Sequence, residues 1–132
     1  MSPPARVLVD TSAWIEVLRR QGDPEIRDAV TLALEEGRAH LCDLVLLELW
    51  NGAQGDRQKK LIRELEAVVP KVPTTDAVWQ RAGALARASR DAGLTVPASD
   101  ILIAACAREH ALFLIHRDGH FDRLAHSVPR PE

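Results

Sequence analysis

Two short apolar runs, one near each end of the chain, constrain the fold more than any other feature. Val7–Val9 is followed directly by Asp10, and Leu112–Ile115 is followed three positions later by Asp118. Short apolar runs bounded by polar residues are typical of strands buried on both faces of a parallel sheet. Parallel strands need long crossover connections, and the intervening segments carry helical periodicity. The sequence therefore predicts an α/β fold, with a mostly parallel sheet flanked by helices.

The chain between these runs divides into six segments with apolar residues at helical spacing. Residues able to cap a helix precede three of them: Thr11 or Ser12, Asp43, and Thr74 or Thr75. A short helix is also expected over Phe121–Ala125. Three weaker strands are expected at Ala39–Cys42, Lys71–Val72 and Ser127–Val128.

The length and composition are those of one globular domain covering residues 1–132. Hydrophobic residues make up 46% of the chain, which is enough for a core that needs no disulfide. No apolar run approaches the roughly 20 residues of a membrane helix, and the first residues lack the apolar core of a signal peptide. Cys42 and Cys106 have no zinc-binding spacing and are expected to be buried free thiols. These features predict a cytoplasmic protein.

The charge balance does not by itself predict a nucleic-acid-binding protein. The net charge is -2, from 17 Lys and Arg against 19 Asp and Glu, whereas such proteins are usually basic. A local phosphate track remains compatible with this balance. Arginines that can supply it are Arg87, Arg90, Arg117 and Arg123.

Four carboxylates stand beside the most apolar segments of the chain: Asp10, Glu48, Asp100 and Asp118. Each has an ordinary alternative role when it is considered alone. Asp10 can cap a helix, Asp100 can favour a helix dipole, and Asp118 can belong to a turn. Glu48 can face solvent, but it lies inside the leucine-rich segment Leu44–Trp50, where an isolated ionised carboxylate is costly to bury.

Taken together, the four acids are better explained by a shared cation. Carboxylates that face one another repel unless a cation neutralises them. Hard oxygen ligands suit Mg²⁺ or Mn²⁺, and such ions activate water for phosphodiester cleavage. A transition-metal site over His116, Asp118 and His120 is an alternative. His116 is otherwise expected to be exposed or to contact substrate, and Asp122 to be a surface or supporting acid.

The segments around the four acids resemble the PIN-domain ribonucleases, and most closely the VapC toxins of bacterial toxin–antitoxin pairs. Each segment is a weak motif alone, but all four occur in order and with about the family's spacing. They are Val7–Glu16, Leu46–Gly52, Ser99–Ala105 and Ile115–Asp122. The resemblance extends over essentially the whole chain.

This resemblance implies a single PIN-like domain with a five-stranded parallel sheet and one or two Mg²⁺ or Mn²⁺ ions. It implies endonucleolytic cleavage of RNA, either transfer or ribosomal, by metal-activated water, and hence inhibited translation. The implied metal ligands and catalytic residues are Asp10, Glu48, Asp100 and Asp118. The implied supporting or substrate-contacting residues are Thr11, Ser12, His116, Arg117 and Asp122. The implied partners are a second copy of the chain and a VapB-like antitoxin, in a dimer or a larger assembly, away from membranes.

Two positions depart from the family pattern. The family often carries an acid where this chain has His120, which bears on the second metal ion. His116 stands where many relatives have threonine, so the substrate contact there is expected to differ.

Two other classes of protein share part of the pattern. Receiver-type phosphoacceptor domains are also parallel α/β proteins with strand-end aspartates and Mg²⁺. They carry adjacent acids after the first strand and a late lysine, whereas Thr11 follows Asp10 here and no lysine follows Lys71. A PIN-like protein that binds a partner without catalysis is the second alternative, and the four retained acids argue against it.

Overall fold

The parallel sheet lies at the centre of the computed structural model, which describes residues 5–117, 119, 121, 122 and 124. Its three strands are β1 (Val7–Val9), β2 (Ala39–His40) and β3 (Phe113–Ile115), in the order β2-β1-β3. Both neighbours of β1 run parallel to it, and Val7 pairs with Ala39 on one side and Phe113 on the other. The predicted α/β class is therefore confirmed.

Helices connect and cover the strands. The described residues form α1 (Thr11–Leu18), α2 (Pro24–Glu35), α3 (Asp43–Gly52), α4 (Gly55–Val68), α5 (Asp76–Asp91) and α6 (Ala98–Glu109). Each corresponds to one of the six predicted helical segments. None of the helices in the described part of the chain is both long and apolar enough to cross a bilayer.

The ends of the helices differ in part from the sequence prediction. Asp10, in an extended conformation, is the N-cap of α1, so Thr11 and Ser12 already lie inside the helix. Cys42 precedes α3 without a side-chain capping bond, and Asp43 is the first helical residue rather than the cap. Thr75 caps α5 as predicted, because its side chain accepts a hydrogen bond from the backbone of Val78.

The predicted strand at residues 71–72 is reduced to a single bridge. Lys71 pairs with Leu41 in parallel, and the backbone N–H of Val72 donates to the Leu41 carbonyl at 2.8 Å. Pro70 and Pro73 flank this pair, and proline has no N–H with which to extend a ladder. The described residues therefore form three strands where five were expected.

The core lies on both faces of β1. Val7–Val9 is buried throughout, and Trp14 of α1 is fully buried beside it in the same apolar cluster. Cys42 and Cys106 are buried and free, as expected. The predicted elements Phe121–Ala125 and Ser127–Val128 lie partly and wholly outside the described residues, respectively.

Candidate active site

The carboxyl ends of β1 and β3 lie side by side and form the floor of the candidate active site. Asp10 follows β1 directly, and its backbone N–H donates to the carbonyl of Ile115, the last residue of β3, at 2.9 Å. Ligands of parallel α/β proteins bind at this edge of the sheet. The Asp10 side chain is only 3% exposed, so a carboxylate is buried at the place where the fold predicts a site.

The Asp10 carboxylate is held by the first turn of α1. Its Oδ2 accepts the backbone N–H of Ser12 at 3.0 Å and the Ser12 hydroxyl at 2.5 Å. The positive end of the α1 dipole adds to this stabilisation. Capping, the ordinary alternative for Asp10, is therefore real, and it also fixes the carboxylate's orientation.

Glu48 is brought to the same turn of α1 from a separate helix. The Thr11 hydroxyl donates to Glu48 Oε1 at 2.8 Å. Glu48 is half-buried on α3, where Leu46 and Leu49 are buried and Leu47 is exposed. The structure therefore brings Asp10 and Glu48 to consecutive residues of one helical turn.

Of the other two predicted acids, Asp100 is described by the structure and Asp118 is not. Asp100 is the third residue of α6, is 9% exposed, and lies in the first turn, where the helix dipole favours a carboxylate. Helix α6 contacts α3, which carries Glu48. Asp118 and His120 lie outside the described residues, so the fourth acid and the alternative histidine site have no structural description.

The donor chemistry of this region fits a hard divalent cation. Asp10, Glu48 and Asp100 supply only carboxylate oxygens, the ligands that Mg²⁺ and Mn²⁺ prefer. Within the described part of the chain, no three His, Cys, Asp or Glu residues are grouped so that they could hold a metal ion on their own. The described residues therefore do not bring Asp10, Glu48 and Asp100 together as a metal site by themselves.

Ser12 also connects Asp10 to the segment that follows β3. The Ser12 hydroxyl oxygen accepts the backbone N–H of Arg117 at 2.9 Å while its proton is donated to Asp10. Arg117 directly precedes Asp118 in the sequence. The chain is thus fixed to α1 at the residue before the fourth predicted acid.

Glu16 is a buried acid that pairs with two half-exposed arginines, an ionic network that the sequence analysis did not single out. It is 4% exposed and receives the guanidinium groups of Arg117 at 2.7 Å and Arg19 at 3.0 Å. The backbone N–H of Asp23 donates to it at 3.0 Å and holds the pKa of the Glu16 carboxyl below its ordinary value. Burial opposes this effect, whereas the two arginines reinforce it. The position of Glu16 inside the apolar segment Ala13–Leu18 is the sequence feature that could have predicted a buried, paired acid.

The remaining predicted residues lie at the end of β3. The His116 ring packs against Phe121 at a centroid distance of 5.0 Å, and its Nε2 lies 3.6 Å from Asp122 Oδ1. His116 Nδ1 is buried with no hydrogen-bond partner among the described residues. Asp122 is exposed, as its predicted surface role requires.

A parallel α/β domain in which the buried Asp10 directly follows the central strand agrees with the resemblance to the PIN domains. The sequence model of the PIN domain family matches residues 7–127. The chain belongs to the PIN-domain family and, because it is 37% identical to a VapC ribonuclease over 90% of its length, to the VapC ribonucleases within that family.

The similarity covers nearly the whole chain. Ribonuclease VapC11 from Mycobacterium tuberculosis is 37% identical over 122 residues, which are 90% of this chain and 91% of the relative. A DNA-bound VapBC from Salmonella typhimurium superposes with a TM-score of 0.78 at 18% identity, covering 92% of this chain and 94% of that one. VapBC-5, a toxin–antitoxin system from M. tuberculosis, is 27% identical with a TM-score of 0.66 and covers 94% of each chain.

Proposed function

We propose that this chain is a Mg²⁺-dependent endoribonuclease and the toxin of a type II toxin–antitoxin system. Asp10, Glu48, Asp100 and Asp118 are proposed as its metal ligands and catalytic residues, with Mn²⁺ as an alternative ion. The observation that carries this proposal is the joining of Asp10 and Glu48 through one turn of α1. These two acids are 38 positions apart in the sequence, so the fold rather than local sequence brings both of them to the residues of this turn.

Each residue of the site has a defined task in this proposal. A bound divalent ion supplies a water of lowered pKa and neutralises charge on the scissile phosphate. The Ser12 hydroxyl holds the Asp10 carboxylate in one orientation, and Thr11 does the same for Glu48. Such orienting bonds matter because misplaced ligands lower metal affinity. Asp100 and Asp118 complete the set of carboxylates.

The proposed partners follow from the relatives. Structural neighbours of this chain are toxin–antitoxin complexes, which supports a VapB-like antitoxin that blocks the site. Transfer or ribosomal RNA as the substrate, inhibited translation, and a homodimer or larger assembly belong to the same proposal. The two free cysteines support a reducing compartment such as the cytoplasm, and residues 1–132 are proposed to be one PIN domain.

Expression of the chain without an antitoxin tests this function. Wild-type protein is expected to arrest bacterial growth, measured as colony-forming units after induction. Glu48→Gln is expected to relieve the arrest, because glutamine keeps an acceptor for Thr11 but removes the negative charge. Glu35→Gln, the same change at an exposed position on α2, is the control and should remain toxic. Persistent arrest by Glu48→Gln at equal protein level would point away from this site.

A further inference from the structure

A groove lined by both polar and apolar residues adjoins the candidate active site. It has a volume of about 440 Å³ and runs between α1, α3 and the start of α4. Thr11 and Glu48 belong both to this groove and to the site described above. Its other polar lining residues are Arg19, Gln54 and Gln58. We call this surface the α1–α4 groove.

The start of α4 is fixed against α1 at this groove. Arg57 donates to the carbonyl of Leu18, the last residue of α1, at 2.8 Å. The Gln58 side-chain oxygen accepts the backbone N–H of Gln54 at 2.9 Å, which fixes the Gln58 amide beside the helix start. The N-terminus of α4, which is the positive end of its helix dipole, therefore lies at the groove, where Gln54 and Gln58 belong to the lining.

The sequence around this helix start is basic although the chain as a whole is acidic. Residues 54–63 carry four Lys or Arg residues and one acid, whereas the net charge of the chain is -2. The four cations are Arg57, Lys59, Lys60 and Arg63, and all of them are exposed. Such a local excess attracts a polyanion.

A second basic segment, residues 81–90, offers a less suitable surface. It carries Arg81, Arg87 and Arg90, but Arg81 is paired with Glu109 at 2.7 Å. The neighbouring groove of about 450 Å³ between α5 and α6 is mainly apolar and is lined by no residue of the candidate site. Position rather than charge favours the α1–α4 groove, because it shares Thr11 and Glu48 with the candidate site that the substrate must reach.

We propose that the α1–α4 groove binds the single-stranded RNA segment next to the scissile phosphate. The start of α4 and Arg19, whose half-exposed guanidinium group also pairs with Glu16, contact phosphates. The Gln54 and Gln58 amides contact base edges. Amides and guanidinium groups are the side chains that read unpaired bases and bind phosphates. This inference rests on the proposed ribonuclease function and adds the path of its substrate.

Substitutions of Gln58 test the inference with little risk to the fold. Gln58→Glu keeps an oxygen acceptor for Gln54 and places one negative charge in the groove. Gln58→Lys places a positive charge there and gives up that single exposed hydrogen bond. Gln80→Glu is the matched control, because Gln80 is exposed on α5, away from the groove. Binding of a labelled single-stranded RNA oligonucleotide is measured by fluorescence anisotropy, with Ca²⁺ in place of Mg²⁺ to prevent cleavage.

The expected result is opposite shifts of affinity for the two substitutions. Gln58→Glu should weaken RNA binding about fivefold, as expected for one like charge near a phosphate at a solvated surface. The slope of log binding constant against log salt concentration should become about 0.7 less steep, which is the contribution of one phosphate contact to a single strand. Gln58→Lys should strengthen binding, and Gln80→Glu should leave it unchanged.

Other outcomes separate this inference from the proposed function. If wild-type protein cleaves RNA but both Gln58 variants bind RNA as wild type does, the groove inference is wrong and the ribonuclease function stands. If Gln58→Glu instead releases a co-purified antitoxin without changing RNA affinity, the groove binds protein, and the inference is again wrong. If wild type neither binds nor cleaves RNA, both proposals fail.

Discussion

The hydroxyl group of Ser12 links two sides of the candidate active site. It donates to Asp10 and accepts the backbone N–H of Arg117. Ser12→Ala is expected to cost about 1–2 kcal/mol of stability through these two bonds and to lower the cleavage rate about tenfold through misplaced ligands. Thermal denaturation and RNA cleavage measure the two effects. Ser12→Thr retains the hydroxyl and should recover most of the rate, and failure to do so would argue against this role.

Glu16 makes the stability of the protein depend on pH. Its pKa is lowered from the ordinary value of 4.5, so its stabilising effect is complete above that value and is lost as the pH falls below it. Glu16→Gln should lower the free energy of unfolding at pH 7 by about 1–2 kcal/mol, since Arg19 and Arg117 are half-exposed and partly screened.

Denaturant titrations at several pH values measure this effect. The difference between wild type and Glu16→Gln should shrink as the pH is lowered below 4.5. A difference that stays constant across this range would show that the loss comes from packing rather than from the charge of Glu16.

Gly22 is required by the close approach of the chain to Glu16. A Cβ atom at this position would lie 1.8 Å from the Glu16 carbonyl oxygen, so the backbone would have to move. Gly22→Ala is expected to destabilise the protein by about 3 kcal/mol. Gly52→Ala, whose Cβ would meet no atom within 4 Å, should change stability by no more than about 1 kcal/mol. Equal melting temperatures for the two variants would contradict this account.

At the level of elements, periodicity predicted the helices well, but their exact starts depended on backbone conformation. The predicted segments all became helices because their apolar faces match the core. The capping prediction succeeded at Thr75 and failed at Asp43, which lies one residue inside α3. The sequence pattern cannot locate a helix start to within one residue, because neighbouring positions often all carry residues that are able to cap a helix.

This difference between the two caps can be measured. Thr75→Ala should destabilise the protein by about 1 kcal/mol, the usual loss of a capping bond. Asp43→Ala should cost less, because Asp43 makes no capping bond to α3 among the described residues. Its ion pair with Lys71 is exposed, and such pairs contribute little. Equilibrium unfolding of both variants gives the comparison, and a larger cost for Asp43→Ala would contradict it.

At the level of the whole molecule, the site lies where two strands from opposite parts of the sequence end side by side. The sequence predicted that acids after β1 and β3 would share one edge of the sheet. The bond from the Asp10 backbone N–H to the Ile115 carbonyl brings the ends of these two strands together, whereas Asp118 lies outside the described residues. The Glu16–Arg117 pair joins residues 101 positions apart. Local sequence patterns cannot predict an ion pair between residues so far apart. The Glu16–Arg117 pair is therefore seen only in the folded structure.

Cleavage of total RNA by the purified protein tests the central claim most directly. The account predicts fragmentation with Mg²⁺, none with EDTA, and none with Asp10→Asn, which keeps a good helix cap but loses the charge. Asp23→Asn, the same substitution at the N-cap of α2, should retain cleavage. Equal fragmentation by wild type in EDTA, or by Asp10→Asn in Mg²⁺, would contradict a metal-dependent site built on Asp10.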